Sequence, residues 1–224
     1  MARLARVVAP KLPHHVVQRG VRSMAIFSSG GDRQAYLTLI AEFAARWNLA
    51  IWAWCLMTNH VHLVVVPARE DSLARAIGEA HRRYTRRINL REGVRGHLFQ
   101  ERFHSYPIQH DRHLLAVVRY VECNPVRAKL VARAENYPWS SARHHIQGRT
   151  DPLVRASPIR DLVRDWKRFV RGQQDTGEGE AIERHARTGR PWGTEAWVSR
   201  LEKRLGRVLI PRRGGWPRGR PRKS

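Results

Sequence analysis

The most apolar stretch of the chain, Ile51 to Pro67 (IWAWCLMTNHVHLVVVP), consists of two strand-like runs joined at a Thr-Asn pair. The second run is mostly β-branched and apolar after its first residues, which is typical of a central strand buried on both faces. Successive strand side chains point to opposite faces, so His60 and His62 share one face while Val61 points to the other. The pattern therefore predicts a β-hairpin with two neighbouring histidines at the start of its second strand.

Elsewhere, apolar residues at spacings of three and four predict amphipathic helices, and short β-branched runs predict strands. In chain order the predicted elements are a strand at 14–20, a helix at 30–48, the strand pair at 51–67, a helix at 71–90, a strand at 102–109 and a helix at 111–124. Pro125 interrupts the last helix, and a short further helix is predicted there with Asn124 as its cap.

The order β-α-β-β-α-β, followed by a helix, predicts an α+β fold with a ferredoxin-like split β-α-β sheet and helices on one face. The pattern weakens around 148–158, which predicts a main domain over 1–150 and a mostly helical, basic C-terminal extension over 151–205. Helix-like segments at 181–187 and 194–205 predict a helix-turn-helix-like DNA-binding unit within the extension. The last residues, 206–224, are predicted to be a disordered basic tail.

Basic residues greatly outnumber acidic ones: 42 Lys and Arg against 19 Asp and Glu give a net charge of +23. This excess predicts a polyanionic partner, and nucleic acid is the first candidate, although a ribosomal or chromatin-type binder would share the charge. The two cysteines form no paired motif, which is typical of a reducing cytoplasm. Without an apolar leader or a run long enough to span a membrane, we expect a cytoplasmic, nucleoid-associated protein with no membrane contact.

Two histidines side by side on a strand can bind a divalent metal ion, because neutral imidazole is a ligand for several such metals. The alternative is that both are hydrogen-bonded at a strand end and bind no ligand. Chemistry on nucleic acid would also need a nucleophile, and the predicted helices offer Tyr84 and Tyr120.

Helical periodicity separates the two tyrosines, because Tyr84 lies at the centre of its helix's apolar stripe, which predicts core packing. Tyr120 lies about 120° from the centre of its own stripe and one turn before Asn124, so both can reach a common point. Tyr120 is therefore the candidate nucleophile, and the alternative is a boundary tyrosine that covers surface. Ligation by His60, His62 and the Asn124 amide oxygen would leave positions open for phosphate and suits Mg²⁺ or Mn²⁺. The set predicts a metal-assisted transesterification that yields a phosphotyrosine link.

Several motifs resemble those of one known family. The sequence Asn-His-Val-His before an apolar strand resembles the HUH motif of single-strand DNA transposases and relaxases. Further matches narrow the resemblance to the REP-associated tyrosine transposases, relatives of the transposases of the smallest insertion sequences: LPHHVVQRG, GHLFQERF, RYVECNPVRA and YPWSSA. They occur in the family's order and cover residues 1–150, which the resemblance identifies as an HUH tyrosine transposase catalytic domain.

The resemblance implies that His60, His62 and Asn124 bind the divalent metal and that Tyr120 takes a 5′-phosphate from single-stranded DNA. Members of the family cut near imperfect hairpins flanked by a short guide sequence, which implies single-stranded and hairpin DNA as partners. Relatives act as dimers or alone, so the resemblance is compatible with a monomer or a homodimer.

Three groups of residues are candidate DNA contacts. The helix at 71–90 carries an arginine ridge opposite its apolar stripe, which suits phosphates, although a merely solvated face is the alternative. Polar and aromatic residues near the first and last strands are candidates for reading guide bases. An Arg-Gly-Arg-Pro segment in the tail resembles an AT-hook, and a generic basic tail is an equal alternative. The residues are Arg82, Arg83, Arg86 and Arg87 on the helix, His14, His15, Gln18, Arg19, Phe99 and Arg102 near the strands, and Arg218 and Arg220 in the tail.

These observations favour a metal-dependent single-strand DNA endonuclease and strand transferase. A domesticated protein that binds REP-like hairpins for regulation or genome architecture would keep every binding residue and is the main rival. An RNA-binding protein on a ferredoxin-like sheet is a third class, and it would leave the histidine pair, Tyr120 and Asn124 without a shared purpose.

Overall fold

Strands and helices alternate along the chain in the computed structural model, which describes residues 6–110, 112–155, 157–172 and 176–210. In chain order the strands and α-helices are β1 (His14–Arg19), α1 (Gly30–Arg46), β2 (Leu49–Leu56), β3 (His60–Pro67), α2 (Ser72–Glu92), β4 (His104–Pro107), α3 (Arg112–Glu122), α4 (Asn124–Arg127), α5 (Ala142–Gln147), α6 (Trp166–Arg171), α7 (Thr176–Thr188) and α8 (Glu195–Leu205). Short 3₁₀ helices cover Val21–Ser23, Ala134–Asn136 and Pro158–Leu162. Among the described residues, none of these helices combines the length and apolarity that a membrane crossing requires.

The four strands form an antiparallel sheet in the order β2-β3-β1-β4. Both inner strands, β1 and β3, therefore have a hydrogen-bonded neighbour on each side. In their register, His15 lies opposite Val64 and Arg19 lies opposite His60. This arrangement is the ferredoxin-like split β-α-β sheet, so the predicted α+β fold class is confirmed.

Helices α1 and α2 cover one face of the sheet, as the sequence predicts, and their apolar stripes pack on Val61 and Leu63 of β3. Helix α3 packs on the opposite face, where Val64 joins its core. A strand whose apolar residues point both ways needs cover on both faces, because either face left in water would lose its burial free energy. The alternation along β3 thus explains why the sheet lies between two layers of helix.

The C-terminal extension packs on both sides of the sheet, because Leu153 and Val154 join the core under α1 and α2 while its later residues join the α3 core. Trp54 of β2 donates its indole N–H to the Asp151 carboxylate, at 2.9 Å from Oδ1. Ile159 and Ile182 are fully buried in the same core as α3. The division between a domain at 1–150 and an extension stays a prediction, and these contacts show that the two parts share a core.

Several details differ from the sequence prediction. Asn124 was expected to cap the short helix, but Cys123 occupies the cap position without a side-chain hydrogen bond, so that prediction is wrong. Helix α7 begins at Thr176, earlier than the predicted 181, and acidic residues near a helix N-terminus favour such an extension. The helix-turn-helix-like unit stays a prediction: α7 packs on β4 and α3, whereas α8 buries Val198 and Leu201 against the N-terminal segment.

The predicted basic tail lies mostly outside the described residues. This holds for the AT-hook-like segment with Arg218 and Arg220. Of the part that is described, Leu209 is buried and its backbone N–H donates to the carboxylate of Glu202 on α8.

Candidate active site

A tight turn between β2 and β3 places His60 at the start of β3, because the Met57 N–H donates to the His60 carbonyl at 2.8 Å. Gly20, the residue directly after β1, supports this turn by donating its N–H to the Asn59 carbonyl at 2.8 Å. A Cβ at Gly20 would lie only 2.3 Å from the Met24 carbonyl oxygen, so the close approach requires glycine. Three segments of chain therefore fix the position of the first histidine.

The Asn59 amide fixes the protonation of His60. Asn59 Nδ2 donates to the Ser23 carbonyl at 3.1 Å, which leaves Oδ1 to accept from His60 Nδ1 at 2.6 Å. His60 Nδ1 therefore carries a proton and Nε2 keeps its lone pair, which is the form that binds a metal. Burial, followed by the positive charges of Arg19 and Arg127, lowers the pKa of His60 to about 4. The imidazole is thus neutral near pH 7.

His62 lies beside His60 on the same face, with 5.0 Å between the ring centroids, and is almost fully buried. Its Nδ1 lies 3.0 Å from His15 Nε2, and His15 Nδ1 lies 3.1 Å from the Tyr106 hydroxyl. If the proton lies on His62 Nδ1, the chain of hydrogen bonds leaves His62 Nε2 available as a ligand. Burial, then the neighbouring histidines and arginines, holds the pKa of His62 well below its usual range.

The donor set at this point fits a divalent metal ion with mixed nitrogen and oxygen ligands. Within the described ranges, no group of three His, Cys, Asp or Glu side chains is placed to hold a metal. A third protein ligand beside His60 and His62 would therefore have to be of another type. The buried amide of Asn124, four residues after Tyr120, is of that type.

Tyr120 lies on α3 next to the histidines, with its ring 5.7 Å from that of His62 and edge-on to it. The Arg127 guanidinium lies 3.7 Å from the centre of the ring. The Tyr120 hydroxyl donates to the Glu183 carboxylate of α7 at 3.3 Å. Burial raises the pKa of Tyr120, Arg127 lowers it and Glu183 raises it further. The phenol is therefore protonated near neutral pH and needs a proton acceptor before it can attack.

The candidate base-reading residues of β1 are mostly in the core. His14, His15 and Gln18 are at most 1% exposed, so they present almost no surface to DNA bases in this conformation, and their role in base recognition stays a prediction. The reason is that β1 is an inner strand, with β3 on one side and β4 on the other. Arg19 is exposed at the end of β1 opposite His60, and its contact with DNA stays a prediction.

Phe99 is also in the core, because its ring stacks on that of His81 with 4.4 Å between the centroids. The ring is already stacked within the protein in this conformation, and its stacking on DNA bases stays a prediction. Arg102 is exposed just before β4 and shares a small cleft with Arg187 of α7, so its role in DNA binding stays a prediction.

The arginine ridge of α2 lines an open groove of about 540 Å³ between α1 and α2. The groove is on the outer side of these helices, so the sheet separates it from Tyr120. Its apolar floor and rim include Leu39 and Leu90, and Leu90 is 72% exposed. The exposed basic residues are Arg82, Arg83, Arg86 and Arg87.

A ferredoxin-like sheet that carries paired histidines on an inner strand beside a helix tyrosine is the arrangement of the HUH class of single-strand DNA transposases and relaxases. Within that class, the chain belongs to the family described as "Transposase IS200 like", whose sequence profile matches residues 9–124, just over half of the chain. The family resemblance predicted from the sequence motifs is thereby confirmed.

Two known proteins illustrate the relationship. A Haemophilus influenzae protein named "Putative REP-associated tyrosine transposase" is 24% identical over 110 residues, which are 45% of this chain. The chain spans only 62% of that relative's length. The solved structure of a REP-associated tyrosine transposase bound to a REP hairpin aligns with a TM-score of 0.57 and 18% identity, over 70% of this chain and 93% of that chain. At this identity the likeness supports the fold.

Three residues that touch the site have no role that the sequence motifs predict. Asn59 directly precedes the histidine pair, and Arg127 lies within the Asn-Pro-Val-Arg motif, so proximity to motifs could have indicated both. Glu183 has no such signal, because it lies 63 residues after Tyr120 in a segment without a motif.

Proposed function

We propose that this protein is a metal-dependent endonuclease and strand transferase that cleaves single-stranded DNA near hairpins through a 5′-phosphotyrosine intermediate. The observation that carries the proposal is that two neutral histidines and Tyr120 lie next to each other on one face of the sheet. Membership in the IS200-like transposase family supports the same activity.

Mg²⁺ or Mn²⁺ held by His60, His62 and Asn124 would polarise the scissile phosphate and offset its developing negative charge. The Tyr120 oxygen attacks phosphorus, the bond to O3′ breaks, and the 5′-phosphate stays on the tyrosine. A 3′-hydroxyl of another DNA end then attacks this link, restores a phosphodiester and releases Tyr120. Arg19, which is exposed opposite His60 in the register of β1 and β3, would hold the phosphate next to this centre.

The groove between α1 and α2 is the proposed contact for the hairpin stem, because a row of arginines binds phosphates independently of base sequence. Since the sheet separates this groove from Tyr120, the single-stranded flank would have to pass around an edge of the sheet to be cut. The proposed partners are thus single-stranded and hairpin DNA, bound in the cytoplasm at the nucleoid by a monomer or a homodimer.

The test uses single-stranded hairpin oligonucleotides copied from the DNA that flanks the gene. Each is labelled at either its 5′ or its 3′ end and incubated with Mn²⁺, with Mg²⁺ or with EDTA. The proposal predicts an adduct on a denaturing gel that carries only the 3′ label, because the protein attaches to the 5′-phosphate of the downstream fragment. EDTA should abolish it.

The possible results separate the rival functions. Tight binding of the hairpins without an adduct under any metal would instead indicate a domesticated binding protein. A stronger preference for RNA oligonucleotides that is insensitive to metal would indicate an RNA-binding protein. An adduct that carries the 5′ label would contradict the proposed chemistry.

A further inference from the structure

Helix α7 lies beyond residues 9–124, the part of the chain that matches the family, yet it contacts the candidate nucleophile. Ile182 anchors the helix in the core and is fully buried. Glu178 accepts a hydrogen bond from the Arg119 guanidinium of α3 at 2.9 Å. At the other end, the His185 ring packs against that of Tyr106 on β4, with 5.7 Å between the centroids. These contacts fix α7 over the tyrosine.

The Tyr120 side chain has charged neighbours of opposite sign. Its hydroxyl donates its proton toward Glu183 Oε1 at 3.3 Å, and the positive charge of Arg127 lowers the pKa of the phenol. The same guanidinium lies 3.7 Å from the ring centre. The proton of the phenol thus points to a carboxylate, while a cation is next to its ring.

A buried phenol attacks phosphorus well only if its proton leaves during the attack. The rings of His62 and His15 are near Tyr120, but their facing nitrogens share a hydrogen bond with each other at 3.0 Å. Glu183 is placed on the hydroxyl itself and is exposed, so a proton that it accepts can pass to water. A general base needs both properties.

We propose that Glu183 is a catalytic general base for Tyr120 and that Arg127 stabilises the phenolate that forms. As the Tyr120 oxygen bonds to phosphorus, its proton moves to the Glu183 carboxylate, and the bond from phosphorus to O3′ breaks. The leaving O3′ takes a proton from water, and Glu183 later releases its own proton to solvent. In the strand-transfer direction, the attacking 3′-hydroxyl loses its proton to water as its oxygen bonds to phosphorus, and Glu183, protonated again from solvent, gives a proton to the departing tyrosine oxygen. This inference rests on the proposed function.

The experiment measures the single-turnover rate of adduct formation at saturating concentrations of the hairpin oligonucleotides, with Mn²⁺. Glu183→Gln keeps the size and a hydrogen-bond acceptor but cannot accept the proton, so we expect a rate about 10²- to 10⁴-fold lower. Glu183→Ala should show a similar loss, and added formate should restore part of its rate by acting as the missing carboxylate. Glu180→Gln, an exposed acid on the same helix, is the matched control and should react at the wild-type rate.

The opposite results are equally informative. A Glu183→Gln protein that reacts at the wild-type rate would overturn the inference while leaving the proposed function intact. A faster reaction would also overturn it, since it would show that α7 blocks the tyrosine. If wild-type protein forms no adduct with any oligonucleotide, the proposed function fails and the inference fails with it. Thermal unfolding of each variant would show whether a lost rate reflects lost folding.

Discussion

Each face of the sheet carries a cluster of tyrosines and histidines, and the two clusters have similar residues in different surroundings. Under α1 and α2, the Tyr36 hydroxyl lies 2.9 Å from His81 Nε2, and Tyr84 donates to the Ile26 carbonyl at 2.7 Å. We call these residues the core cluster. On the other face, the candidate site combines the histidine pair with Tyr120, and there the tyrosine side chain has charged neighbours.

Residue type and burial alone do not separate the two clusters. Tyr84 is fully buried and Tyr120 is 6% exposed, and burial lowers the pKa of both His81 and His15 to about 3. The two clusters differ in the groups that contact the tyrosine side chains. In the core cluster the tyrosine hydroxyls bond to neutral groups, whereas the Tyr120 hydroxyl donates to a carboxylate and the Tyr120 ring lies against a guanidinium. Reactivity is therefore expected only on the second face.

The largest expected effect comes from removing one hydroxyl on each face. Tyr120→Phe should abolish the protein–DNA adduct, because no other atom would be placed to take the phosphate. Tyr84→Phe should retain the adduct, since the Tyr84 hydroxyl is bonded to a backbone carbonyl away from the histidine pair. Denaturing gels of both variants with labelled hairpin oligonucleotides make the measurement. An adduct that survives only in Tyr120→Phe would reverse the assignment of the two faces.

The affinity for Mn²⁺ should likewise depend on the histidines of the candidate site and not on the histidine of the core cluster. His62→Ala removes a proposed ligand and should weaken Mn²⁺ binding by about 100-fold or more, since even outer-shell changes cost 10- to 100-fold. His81→Ala removes a histidine that is equally neutral and buried, and it should leave Mn²⁺ affinity unchanged. Isothermal titration calorimetry with Mn²⁺ measures both. Equal affinities for the two variants would show that the paired histidines do not hold a metal.

The salt dependence of DNA affinity should show a smaller difference, between substitutions in the groove of α1 and α2 and substitutions on α8. Arg82→Ala combined with Arg86→Ala removes two positive charges from the groove and should reduce the slope of log affinity against log salt by about 2. Arg200→Ala with Lys203→Ala removes two exposed charges from α8, a part of the predicted helix-turn-helix-like unit, and is the matched comparison. Fluorescence anisotropy of a labelled hairpin across a salt series gives both slopes. A larger change in the α8 pair would place the hairpin on the extension instead.

The sequence predicted the sheet well because each β3 position follows a two-residue period and each helix has one apolar stripe. The same periodicity placed Tyr84 in the core, and its burial confirms this. The burial of His14, His15 and Gln18 was missed, because a polar strand reads as exposed until its neighbours are known. Here β3 and β4 flank β1 and helices cover both faces.

The partner of Tyr120 could not be predicted from the sequence either. Glu183 reaches the tyrosine only because Ile182, next to it in the chain, packs into the core and orients α7. That contact joins residues 63 positions apart and depends on the docking of a helix without a motif. Local patterns define which face of a helix is apolar, but they do not define where the helix docks.

Substitutions in the core cluster should lower the stability of the fold more than substitutions at the candidate site do. Tyr84→Phe leaves the buried Ile26 carbonyl without its 2.7 Å hydrogen bond, so we expect the free energy of unfolding to fall by about 1–3 kcal/mol. The measurement is urea denaturation at pH 7 followed by circular dichroism. Tyr120→Phe should cost less, since its partner Glu183 is exposed and can turn to water. The reverse order of stabilities would mean that the site tyrosine, not the core one, supports the fold.

The smallest effect concerns the pH dependence of that stability, and its sign follows from burial. Because burial lowers the folded pKa of His81 to about 3, the unfolded chain binds a proton at higher pH than the folded one. The contribution of His81 to the free energy of unfolding is therefore complete above about pH 6.5. It is lost as pH falls toward 3, at about 1.4 kcal/mol per pH unit.

The variant His81→Gln keeps a hydrogen-bonding side chain but cannot titrate, so its free energy of unfolding should fall less steeply between pH 7 and 5. The exposed His97→Gln should follow wild type. If His81→Gln shows the full wild-type slope, the pH dependence arises from the other buried histidines with lowered pKa values, namely His14 on the same face and His15 and His60 at the candidate site.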